Sequence, residues 1–134
     1  MSLKTIKRFF LVAALYDIIL GIVFGFLFKP VYIVFGAELP NHDGYIQLIA
    51  FYVLTFGICF YLAYRNPQLN RQFAILGVLM KISFATVVFG HFIADTIPLP
   101  QVFITLAVID LLFIPFFIAA YSSLRKMATT NPPK

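Results

Sequence analysis

Three ionisable side chains stand where this chain can least accommodate them: Asp17, Lys81 and Asp110, each inside a long apolar run. An ionised group at a bilayer centre costs about 2.5 to 3.5 kcal/mol on insertion scales, so opposite charges are expected to turn inward and meet. At 1.5 Å per helical residue, Asp17 lies roughly 12 Å from Phe9, Lys81 roughly 12 Å from Phe73 and Asp110 roughly 16 Å from Tyr121. All three depths are measured from the same boundary, which places the charges in one layer. Tyr52 and Thr55, from the intervening run, are expected to reach that layer and complete a buried polar cluster. Two carboxylates against one ammonium leave an excess negative charge, which favours holding a proton or a cation. Proton-coupled carriers and intramembrane acid–base sites are built this way. The plainer chemistry of the same residues is a static ion pair that fixes helix packing.

Other chemistry-bearing residues form no enforced pattern. His91 and Asp95 are spaced i, i+4, and His42 with Asp43 could join them as imidazole and carboxylate ligands. No ligand spacing imposes such a site, and interfacial polar residues are the simpler reading, so neither metal nor cofactor is expected. Cys59 is the single cysteine, which removes an intrachain disulfide and any CxxC pair. There is no glycine-rich phosphate loop, no HExxH helix and no nucleophile elbow.

The elements that must position the charges follow from composition. Of 134 residues 62% are hydrophobic and 11% charged, with mean hydropathy +0.97, far from the roughly half-apolar, quarter-charged balance of soluble domains. Four runs, at 9–28, 45–64, 73–94 and 102–121, are each about long enough to cross about 30 Å of hydrocarbon. The expected fold is a single all-α domain, an integral membrane four-helix bundle. Insertion of the first run survives Asp17, because more than about a dozen Leu, Ile, Val and Phe residues at roughly −0.4 kcal/mol each outweigh roughly +3 for the acid.

A net charge of +5 and a pI near 9.5 do not point to nucleic acid, because the basic residues sit at segment ends. Lys4, Lys7, Arg8, Arg65, Arg71, Arg125, Lys126 and Lys134 fall on one side with no acid, whereas Lys29 faces Glu38, Asp43 and Asp95 on the other. That asymmetry predicts both termini in the cytoplasm and a multi-pass protein of the cell membrane. The bilayer is its expected partner, with a homo-oligomer or larger complex open.

Local signals refine the spans. Asp17, Gly21 and Gly25 share one face, a small-xxx-small pattern that admits a second backbone. Ala74, Gly77, Lys81 and Ala85 repeat it. An interfacial half-turn or short helix is expected after Pro30. Asn66 and Pro67 are suited to an N-cap and first helical position, 96–100 to a tight connection, and Pro115 to a kink beside Asp110. Leu15-Tyr16-Asp17-Ile18 is echoed by Leu79-Met80-Lys81-Ile82, and Leu62-Ala63-Tyr64 by Ala119-Ala120-Tyr121. Such echoes raise a two-plus-two repeat.

Asp17 after an alanine pair, Arg65-Asn66-Pro67, mid-span Lys81 and Ile109-Asp110-Leu111-Leu112-Phe113 together resemble a group of small bacterial four-span proteins that are loosely DoxX-like. The resemblance covers most of the chain and implies fold and location only. The lone Cys59 gives no support to a thiol-based role. A non-enzymatic accessory or small lipophilic-ligand-binding protein is the expected function. The alternatives are a proton-coupled carrier acting as an oligomer and an intramembrane enzyme on a lipid or quinone.

Overall fold

The computed structural model of the chain describes residues 1–95 and 101–130, and the expected tight connection at 96–100 lies outside them. Five helices follow in order: α1 Leu3–Phe26, α2 Phe28–Val34, α3 Asp43–Arg65, α4 Gln72–Ala94 and α5 Gln101–Thr130. Four of them, α1, α3, α4 and α5, are long and apolar enough to cross a membrane. Ile19, Ile93, Leu112 and many other large apolar side chains point outward, a surface suited to hydrocarbon and not to water.

Helix α1 begins where Ser2 Oγ accepts the Thr5 amide, satisfying one of the amides a helix start leaves open. It ends earlier than the apolar run, at Phe26, because Pro30 has no N–H to give the Phe26 carbonyl. The chain bends at Leu27 and restarts as α2, with Pro30 inside the first turn, where no amide is needed. Phe28 therefore belongs to α2. This short helix folds against the bundle end, Tyr32 meeting the Phe103 ring at 5.9 Å. Lys29 of α2 pairs with Asp43 at the start of α3 at 2.6 Å.

The Asn66–Pro67 expectation needs correction. Asn66 Oδ1 accepts the Leu69 amide, but the turn it caps is separate, and α4 starts at Gln72 after Arg71. Pro115 lies inside the continuous helix α5. That helix also outruns its apolar part: Ser122 to Thr130 continue past the expected boundary, with Leu124 buried. The amino terminus donates to Ser123 Oγ at 2.8 Å, so the start of α1 and the last turns of α5 share one end of the bundle.

Two antiparallel pairs, α1 with α3 and α4 with α5, supply most of the interhelical packing. Backbone proximity holds the first pair together. A Cβ on Gly21 would come within 2.8 Å of the Leu54 backbone, and one on Gly57 within 2.8 Å of the Ile18 nitrogen. In the second pair Gly77 accommodates the Phe117 ring, 2.7 Å from where its Cβ would stand. Gly25, by contrast, faces Phe51 at an ordinary 3.6 Å. A Phe-rich cluster closes the end nearer the termini, where Phe60 and Phe117 meet at 4.9 Å and Phe9 and Phe117 at 4.8 Å.

The buried positions of the two pairs keep step. Phe10, Ala13, Asp17 and Gly21 are buried in α1, and the identically spaced Ala74, Gly77, Lys81 and Ala85 are buried in α4. Ala50, Phe60 and Ala63 of α3 correspond in the same way to Ala107, Phe117 and Ala120 of α5. The short sequence echo thus extends into a matched burial pattern, in which Asp17 and Lys81 occupy equivalent places and bear opposite charge.

Candidate functional site

Asp17, Lys81 and Asp110 come together in the interior. Lys81 Nζ donates to Asp17 Oδ1 at 2.8 Å and lies 2.8 Å from Asp110 Oδ1. The two contacts differ in degree. The bond to Asp17 is a charge-assisted hydrogen bond, and Asp110 Oδ1 forms an ion pair of equal length with poorer hydrogen-bond geometry. Helix α1 supplies the first acid, α5 the second and α4 the base, so the ammonium bridges the two helical pairs.

The surroundings favour a cation at Nζ. The Tyr16 ring lies beneath it at 4.7 Å and Phe113 at 5.5 Å, with the two rings 5.2 Å apart. A desolvated ammonium over an aromatic face gains about 2 kcal/mol. Asp17 is 0% and Lys81 1% exposed, so the charges are sealed from the surface and depend on one another. Among the described residues Asp17 Oδ2 is buried without a hydrogen-bond partner, and the Tyr16 hydroxyl sits beside the Asp110 carboxylate. The centre thus sets two acids and a phenol around one base.

Tyr52 and Thr55 do not belong to this centre, contrary to the sequence expectation. Tyr52 is 60% exposed, and the exposed Thr55 hydroxyl is taken by the Phe51 carbonyl of the preceding turn at 2.8 Å. The buried face of α3 runs through Ala50, Gly57, Phe60 and Ala63 instead. Tyr16 and Phe113 are the members that sequence reasoning missed. Their signal was adjacency, Tyr16 preceding Asp17 and Phe113 one turn beyond Asp110.

Among the described residues the metal candidates at the end away from the termini are not drawn into a ligand set. His42 Nδ1 accepts the Gly44 amide as the cap of α3, and Asp43 is paired with Lys29. Asp95 terminates α4 in a left-handed conformation, its amide bonded to the His91 carbonyl. Among the described residues no three His, Cys, Asp or Glu side chains gather as metal ligands.

The fold and centre define a class: an all-helical bundle with four helices of membrane-crossing length and a buried Asp–Lys–Asp triad. Compared with protein families, curated proteins and solved structures, the chain matches none.

Proposed function

We propose that the chain is a multi-pass membrane protein with both termini in the cytoplasm, acting as a non-enzymatic accessory or small lipophilic-ligand-binding component. In it the Asp17–Lys81–Asp110 triad ties the two helical pairs together. The observation that carries this reading is the position of Lys81, sealed between carboxylates of two different helices at 2.8 Å each. A group held on both sides in this way is arranged for cohesion, since breaking a buried pair costs about 3 to 5 kcal/mol. The loosely DoxX-like kinship belongs to the same proposal and rests on Arg65-Asn66-Pro67, Lys81 and the segment around Asp110.

A second reading, a proton-coupled carrier acting as an oligomer, is favoured by the buried Asp17 Oδ2, which accepts no hydrogen bond among the described residues, and by the two acids set against one base. One experiment separates the two. In liposomes carrying an internal pH dye, the accessory reading expects an imposed pH gradient to decay no faster with the protein than with Asp17→Asn. Decay that depends on Asp17 and quickens with an added lipophilic cation would replace it with the carrier.

A further inference from the structure

The end of the bundle that holds the amino terminus also carries a cleft of about 660 Å³, lined by Asn66, Gln68, Leu69, Arg71, Arg125 and Thr129 along with Ala128. Its walls come from the α3–α4 connection and the α5 extension beyond the apolar span. A smaller cleft of about 330 Å³ adjoins it, sharing Arg125 and Thr129 and adding Lys126 and Tyr121. Among the described residues neither Arg71 nor Arg125 is ion-paired and no acid lines either cleft. Helix α4 adds a third positive element. It starts directly after Arg71 and has no acidic residue in its first turn; its Phe73 and Ala74 amides are taken by the Asn70 and Arg71 carbonyls, so it is the helix dipole that reinforces the same field.

Polarity and depth identify the occupant. The cleft combines two guanidiniums with apolar walls, and Leu69 at its rim is 72% exposed. It lies just past the apolar lengths of α3 and α5, the level of headgroups if those helices cross a bilayer. A soluble anion has no use for the exposed leucine, whereas a lipid with a phosphodiester above and acyl chains below uses both. We infer that this cleft is a binding site for the headgroup of an anionic phospholipid, with Arg71 and Arg125 gripping the phosphate. The site is separate from the triad and independent of what the triad does.

Native mass spectrometry of the full chain in detergent, titrated with phosphatidylglycerol or phosphatidylcholine, tests this. Phosphatidylglycerol should bind more tightly. Arg71→Gln or Arg125→Gln should weaken it about fivefold each, and the double variant on the order of 25-fold. Lys4→Gln/Lys7→Gln removes equal charge from the same end outside the cleft and should change affinity less than about twofold. Thermal unfolding of each variant shows that it remains folded, and Arg71→Lys serves as a milder substitution if Arg71→Gln does not. Wild-type affinity in the double variant, or an equal loss in the lysine control, would overturn the site. Displacement of the lipid by inorganic phosphate, beyond the effect of chloride at equal ionic strength, would overturn the lipid as its occupant.

Discussion

Around Lys81 each neighbour favours the positive charge, but the two acids are unequal. Asp17 is hydrogen-bonded and fully buried, while Asp110 pairs with Lys81 in poorer hydrogen-bond geometry and is slightly more exposed. Asp17→Asn is therefore expected to lower stability by about 2 to 3 kcal/mol and Asp110→Asn by less than about 1 kcal/mol, read by thermal or denaturant unfolding in detergent. The reverse order would mean that Asp110 is the true partner. Tyr16 allows a similar dissection, because its ring faces the ammonium while its hydroxyl sits beside the Asp110 carboxylate. Tyr16→Phe keeps the ring and removes only the hydroxyl beside Asp110, so stability should fall by no more than about 1 kcal/mol. Tyr16→Leu loses the cation–π contact and should cost about 2 kcal/mol. The meeting of Asp17, Lys81 and Asp110 was legible in the sequence because charges in apolar runs have few places to go. Tyr52 and Thr55 were misplaced because residue count gives depth along a helix and not rotation about it. Thr55 needs no distant partner, its own helix offering the Phe51 carbonyl.

Among the elements, glycine position separates contact from coincidence. Gly21, Gly25 and Gly77 stand out in sequence as packing residues, and all three are buried, but Gly25 meets its neighbours only at ordinary distance. Gly57, which brings α3 onto the Ile18 backbone, has no small residue three or four positions away that would have singled it out. Gly21→Ala and Gly57→Ala should each cost about 1 to 3 kcal/mol, because a backbone must move. Gly25→Ala should be nearly neutral. Gly90, with open space where a Cβ would stand, should tolerate Ala or gain up to about 1 kcal/mol from helix propensity. Equal losses at Gly21 and Gly25, compared by thermal unfolding, would contradict the close approach of α1 and α3. The break at Leu27 and the long α5 were harder to read. The apolar run continues through the first, and it stops well before the end of the second, so hydropathy marks neither boundary.

For the whole molecule, matched burial in α1/α3 and α4/α5 makes the chain two similar helical pairs joined through their interior. The eight-to-none placement of basic residues predicts one orientation: a reporter fused after Lys134 should read cytoplasmic, and one within 41–44 external. Equal populations of both orientations at either point would refute that topology. Ring contacts such as Phe60 with Phe117 also join the pairs, but the Asp17–Lys81 bond is a buried polar link between them. The most direct measurement of whether the triad is that link is the unfolding free energy of Lys81→Met beside the neutral triple variant Asp17→Asn/Lys81→Met/Asp110→Asn. The single substitution leaves two buried carboxylates without a counter-charge and should cost about 3 to 5 kcal/mol, and the triple should regain more than half of that loss. A triple variant less stable than Lys81→Met alone, its losses simply summing, would contradict an interdependent triad at the heart of this fold.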